Sequence, residues 1–417
     1  VVVAAVAAAL VGGASEARGA SPPLLDERVA PTAESWPRAC SLRQPLCVHA
    51  APGTAARYTL SALDAADRAW ATLSGALAAP PPDPSGDGVW HVYLVAAAAD
   101  AQAGELSGGA TALLEERDVV SRFDRGASFA LVDRATPPGC PLDLALARAI
   151  ARGSIWRTAP ATDPGSAVAE SETLALLATP CAARGGDVGI FQEHPERTPV
   201  DPFDAAFDRG AGLFFDWLDA KFGASPGVLV EGLLALSPTR AADADRGLHL
   251  PTGFDVLRVS LRDRLFAGST FEDAIVRFSI DRAALQPPAR VGWRVPWPTK
   301  PRRLLPPEPV APLGASYVVV DATGRPGGAS LHLDADWEDY GRMRWVVVKI
   351  DVAGGVRGEM PMGSVEKGTH ASLTVEDLEG VARLLVVGVD VGDTEAPFDP
   401  GAGEWEAHGW TLTLAQP

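Results

Sequence analysis

Nine prolines fall between Gln286 and Gly314, at positions 287, 288, 296, 298, 301, 306, 307, 309 and 312. Proline fixes φ and has no amide hydrogen to donate, so this stretch cannot be a regular helix or a central strand. It reads as an extended linker or arm, residues 287–313, between halves of different periodicity. A chain of 417 residues also exceeds what one hydrophobic core usually serves.

Upstream, the apolar spacing is helical. "YTLSALDAADRAWATLSGAL" puts Leu60, Leu63, Trp70 and Leu73 on one face, and "APPPDPSGDG" stops it. Strands are predicted at "VWHVYLVAA" (89–97) and "SFALVD" (128–133), and helices at 140–157 and 166–181. After the loop "FQEHPERTPVDPFD", the helix "AAFDRGAGLFFDWLDAKFG" gathers Phe207, Leu213, Phe214, Trp217, Leu218 and Phe222, with Gly223 as C-cap. Further helices are expected at "PGVLVEGLLALS", "GFDVLRVSLRDRLF" and "TFEDAIVRFSIDRAAL".

Downstream, "ASYVVVDA", "ASLHLDADW", "MRWVVVKIDV", "HASLTVEDL", "ARLLVVGVDVG" and "GWTLTLAQ" are short strands separated by Gly and Asp turns. That is the pattern of an antiparallel β-sandwich over residues 314–417. The fold class is therefore α+β.

The first residues, "VVVAAVAAALVGGASEARGAS", form an apolar run too short to span a bilayer but suited to a signal peptide over residues 1–20. Residues 21–56 then form an N-terminal segment. Four cysteines, Cys40, Cys47, Cys140 and Cys181, suit disulfides in a secreted protein, periplasmic or extracellular. Three connectivities are open, of which the sequential one is simplest. A four-thiolate zinc site lacks the close Cys pairs it needs. The net charge of −17 opposes nucleic acid and anionic lipid as partners.

The order helix, proline-rich turn, two strands, cysteine, two helices, then "RGAGLFFDWLDAKFG", together with "ESETLALL", resembles the secreted gluzincin-like metalloproteases of the peptidase MA type. The resemblance is to myxobacterial members that end in a β-sandwich. It implies a zincin-like domain over residues 57–286. In that family the first long helix after the cysteine carries HExxH, two zinc-binding histidines one turn apart with a glutamate that polarises the metal-bound water. The matching register here holds Ala147, Arg148 and Ala151, and no histidine lies between His91 and His194. The family's third ligand, a glutamate on the next helix, maps to Glu172 in "ETLA". Arg148 and Glu172 are then expected to pair where the metal would sit. Zinc is expected to be absent and the catalytic set degenerate.

Outside that resemblance, neither a G-x-S-x-G elbow, a P-loop nor a dinucleotide-binding glycine motif is present. His194 in "EHPERTP" is the most suggestive of seven scattered histidines. Asp334, Asp336, Glu338 and Asp339, and separately Asp390, Asp393, Glu395 and Asp399, form acidic clusters that offer a weak calcium site. Trp337, Trp405 and Trp410 are candidates for a glycan platform. The expected function is a secreted, non-catalytic metalloprotease-like module that binds a protein, peptide or cell-envelope component. The alternatives are a hydrolase using Glu172, Glu193 and His194, or a calcium- or glycan-binding adhesion module.

Overall fold

The computed structural model describes residues 36–83, 88–96, 110–116, 125–158, 162, 164–181, 185–199, 205–223, 257, 269–285, 287–364, 368–392 and 406–417. The expected signal peptide, the helices at 226–237 and 253–266, Trp405 and the acids at 393, 395 and 399 lie outside the described residues. The architecture is α+β, in two compact units. One is formed by residues up to Asp187 with 202–260, the other by 188–201 with 261–417.

The first unit is built on a sheet of order β1-β2-β3-β5-β4. Its strands are β1 (Arg38–Cys40), β2 (Leu46–Ala50), β3 (Trp90–Val95), β4 (Ala110–Glu116) and β5 (Arg125–Asp133). β3 and β5 are the two expected strands, paired parallel to each other. β3 also pairs parallel with β2, and the outer strands β1 and β4 run antiparallel to their neighbours. β3 is buried along its whole length, as a central parallel strand covered on both faces must be. Helix α1 (Ala56–Ala71) runs into a π-helical turn, Thr72–Ala76. Its buried face follows the expected stripe only in part: Trp70 and, in the π-helical turn, Leu73 are buried, Leu60 is exposed, and Ala62, Ala65, Ala66 and Ala69 make up the rest of the inward face. Small side chains let α1 lie close to its neighbour, so volume rather than hydropathy chose the face.

That neighbour is α2 (Cys140–Thr158), which also packs on β5. Gly153 marks the closest approach, where an added Cβ would lie 2.7 Å from Ser128 Oγ and 3.0 Å from Pro82 Cβ. Then follow α3 (Pro164–Ala178) against α2, α4 (Gly185–Glu193), and α5 (Ala205–Phe222) against α3. Residues 191–193, read as loop, complete α4. In α5, Phe207, Phe214 and Leu218 are fully buried as the spacing predicts.

The second unit contains α6 (Phe271–Arg282), opened by a capping box between Thr270 and Asp273. Its two sheets have the orders β11-β10-β14-β8-β6 and β12-β13-β9-β15-β7. Six strands match the expected runs: β8 (Ala315–Asp321), β9 (Leu331–Trp337), β10 (Met343–Asp351), β13 (His370–Val375), β14 (Val381–Asp390) and β15 (Trp410–Ala415). β11 (Val356–Pro361) and β12 (Gly363–Ser364) complete the hairpin region.

The proline-rich segment is not a free linker. It supplies β6 (Trp293–Pro296) to one sheet and β7 (Arg302–Leu304) to the other, in each case as the last strand. Proline is tolerated there because an edge strand leaves one row of hydrogen-bonding positions unused. Val295, Trp297, Leu304 and Val310 are buried in the sandwich core beside Trp337, Trp345 and Trp410. The sandwich is also not wholly antiparallel, since β6 runs parallel to β8.

Candidate functional site

Both disulfides form, in the sequential pairing. Cys40–Cys47 bridges directly opposed residues of the β1–β2 hairpin, and Cys140–Cys181 has a Cα separation of 5.5 Å. The second bridge joins the start of α2 to Cys181, three residues beyond the end of α3, so the two helices form an antiparallel pair. Arg148 is eight residues in from Cys140 and Glu172 nine residues back from Cys181, so the hairpin places them side by side.

Arg148 Nη2 donates to Glu172 Oε1 at 2.9 Å, and Arg148 Nε pairs with Oε2. This is a two-pronged guanidinium–carboxylate contact, the strong geometry for such a pair. The Glu172 side chain is 2% exposed and that of Arg148 15%. Each carboxylate oxygen therefore accepts an N–H, and the carboxylate already faces a positive charge. Ala147 and Ala151, the other two positions of the register, are fully buried. This constellation can bind its own cation but offers a dication no second ligand from those positions.

His194 and Glu193 belong to the sandwich unit. Glu193 is exposed. His194 Nδ1 lies 3.1 Å from Glu196 Oε1, and Glu196 Oε2 accepts from Arg290 Nη2 at 3.1 Å. The same Arg290 nitrogen donates to Glu308 Oε2 at 2.8 Å. Hydrogen bonding to Glu196 and to Arg290 holds the Glu308 carboxyl below its usual range, and the bond to Glu308 raises Arg290. His194, Glu196 and Glu308 could each offer a metal one ligand atom, all within 4.8 Å of one another. Arg290 spans the two carboxylates, however, so this cluster reads first as an ion-pair clamp. Backbone bonds on either side agree: Ala311 N–H donates to Glu196 O and Ala315 N–H to Pro195 O. Glu196, Arg290 and Glu308 were not singled out in the sequence, where 94 and 18 residues separate Arg290 from its partners.

Nearby, Arg282 is buried between the Phe191 ring, 3.7 Å from its guanidinium carbon, and Gln192 Oε1, which accepts from Nε at 2.8 Å. Desolvation lowers it to about 10, which leaves it charged at neutral pH. It anchors 191–192 to α6, and the buried Tyr317 hydroxyl, which donates to Ser279 O at 2.7 Å, ties β8 to the same helix.

Asp390 is fully buried, with Oδ2 3.1 Å from His408 Nδ1 and Oδ1 accepting from Arg342 N and Gly392 N. Glu338 Oε2 accepts from Gly409 N at 2.8 Å. Asp334 and Asp336 lie on the outer face of β9, beside the imidazoles of His332 and His370. Of the three tryptophans expected to offer a glycan platform, Trp337 and Trp410 are core residues, drawn inward because a thin sandwich needs large side chains to fill it. In the first unit, His49 Nε2 and His91 Nδ1 are hydrogen-bonded at 2.9 Å on adjacent strands, beneath the stacked Tyr93 ring.

No family model and no curated protein matches the chain. Among solved structures, it is similar to the pre-peptidase C-terminal domain of collagenase from Bacillus anthracis. The identity is 12% and the TM-score 0.19, with 31% of this chain and 97% of that chain covered. It is also similar to the enzymatically active domain of bacteriophage CBA120 tailspike protein 4. There the identity is 8% and the TM-score 0.18, with 28% and 15% covered. Neither score is high enough to establish a shared fold. The two disulfides fit a chain that matures in an oxidising compartment, outside the cytoplasm. Among the described residues no helix is long and apolar enough to cross a membrane.

Proposed function

We propose that this chain is a secreted, catalytically inactive metalloprotease-like protein that acts by binding a protein, peptide or cell-envelope component. The observation that carries the reading is the Arg148–Glu172 pair. In the gluzincin register, Glu172 is the metal-ligating carboxylate and Arg148 replaces the catalytic glutamate. A guanidinium bound through both oxygens supplies the positive charge that a metal would supply, without a site for water activation. With alanine at 147 and 151, the imidazole ligands of that chemistry are missing.

The test is hydrolysis of a quenched-fluorescent peptide library by the full chain with zinc added, compared with Glu172→Gln. Turnover is expected to stay at background in both. Zinc-dependent turnover by the wild-type chain that disappears in Glu172→Gln would overturn the reading.

A further inference from the structure

Three side chains of the second unit bring ligand atoms together beyond the end of α4. His194 and Glu196 stand in the loop that follows this helix, and Glu308 comes from the proline-rich segment beyond β7. Each offers one ligand atom, all within 4.8 Å of one another. His194 Nδ1 and Glu196 Oε1 are 3.1 Å apart. Two atoms bound to one ion at about 2.0–2.2 Å, at angles between a right angle and the tetrahedral one, lie about 2.8–3.6 Å from each other. This pair therefore already has the spacing of neighbouring ligands. The third ligand is a side chain that can move onto them, since Glu308 is 44% exposed.

The backbone that carries these ligands is fixed from several sides. Pro195 separates the first two, and Pro307 and Pro309 flank Glu308, so φ is preset beside each of them. Arg290 N donates to Gln192 O at 2.7 Å, Ala311 N to Glu196 O at 2.8 Å and Ala315 N to Pro195 O at 2.7 Å. A Cβ at Gly314 would collide with Glu196 O, so this approach needs glycine. Ligands held in this way lose little freedom when they close on an ion. We propose that His194, Glu196 and Glu308 bind a divalent transition-metal ion, which ties the loop after α4 to the proline-rich segment.

Arg290 is the cation that clamps this cluster when no metal is bound. A single nitrogen, Nη2, serves both carboxylates, 3.1 Å from Glu196 Oε2 and 2.8 Å from Glu308 Oε2. Two carboxylates and one guanidinium beside a neutral imidazole leave a negative charge uncompensated, which a dication would neutralise. The Arg290 side chain is 39% exposed, so its guanidinium can move into solvent as the ion enters. An imidazole with two carboxylates favours zinc over calcium or magnesium, which take oxygen ligands. The site lies in the sandwich unit, so the inference is independent of the reading of Arg148 and Glu172.

The experiment is calorimetric titration of the full chain with zinc, and one ion per chain is expected. His194→Ala and Glu308→Gln should each weaken binding by at least roughly 10-fold, the smaller of the losses seen when even a supporting group is removed. Arg290→Met removes the competing cation and should tighten binding several-fold. His332→Ala and His370→Ala, on the outer face of the sandwich, should leave it unchanged. Because His194, Arg290 and Glu308 are partly exposed, unchanged melting of the metal-free variants is the folding control. No bound zinc, or binding that survives both His194→Ala and Glu308→Gln, would overturn the proposal. So would weaker binding in Arg290→Met, which would make Arg290 a support of the ligands rather than their competitor, or loss of binding in His332→Ala or His370→Ala.

Discussion

Replacing Arg148 with methionine keeps most of the side-chain volume and removes the charge that faces Glu172. The carboxylate left behind is 2% exposed, and an uncompensated buried charge of this kind costs about 3–5 kcal/mol. Replacing both partners, as Arg148→Met with Glu172→Leu, removes the charge and its desolvation together. The double variant should then recover most of the loss. The resulting coupling is about 3 kcal/mol, at the top of the range for residues in contact. Hydrogen exchange of the α2 and α3 amides, read beside urea unfolding, reports the stability of this unit without assuming that the whole chain unfolds in one step. A loss below about 1 kcal/mol in Arg148→Met, the value of an exposed pair, would show that the pair is not a buried, desolvated one. So would additive single effects.

Three further outcomes are expected. The hydrogen bond from His408 to Asp390, reinforced by the charges of Asp390, Glu338 and Glu406, raises the His408 pKa. The stability this contributes is therefore fully present below the unfolded value near 6.5 and is lost as pH rises through the folded value. Melting of the wild type should fall over that window and His408→Gln should flatten it, whereas parallel profiles would exclude the pair as the cause. Gly388→Ala brings a methyl to 2.6 Å from the buried Trp345 ring. This should cost about 1–3 kcal/mol by overpacking, and an unshifted urea midpoint would show that the ring yields freely. Removing Cys140–Cys181, which spans 41 residues, should cost about 4 kcal/mol from the loop-entropy relation. Equal stability of the reduced and oxidised chains would contradict that.

The strongly periodic elements were legible in the sequence. β9 and β15 carry the alternation of a half-buried sheet, β8, β10 and β14 are near-continuous apolar runs, and the apolar spacing of α5 marks Phe207, Phe214 and Leu218 as its buried face. Short edge strands were not legible: β6 and β7 lie among prolines, and only the paired partner reveals them. The alanines of the buried face of α1 escaped because alanine carries little hydrophobic signal yet permits the closest helix packing. At the candidate sites, the register and the antiparallel hairpin sufficed to expect Arg148 beside Glu172. His332 and His370 stand 38 positions apart (370 − 332) and both reach Asp334 only through strand register, which a scan for histidines one helical turn apart does not sample. Arg290 with Glu196, and His408 with Asp390, are long-range pairs of the same kind.

The proposed function depends on whether the guanidinium of Arg148 occupies the place of a metal beside Glu172. The most direct test is a map of anomalous scattering, recorded at the zinc edge, from crystals of the full chain soaked in zinc. No peak is expected beside Glu172. A zinc peak within bonding distance of Glu172, with the Arg148 side chain displaced, would contradict it.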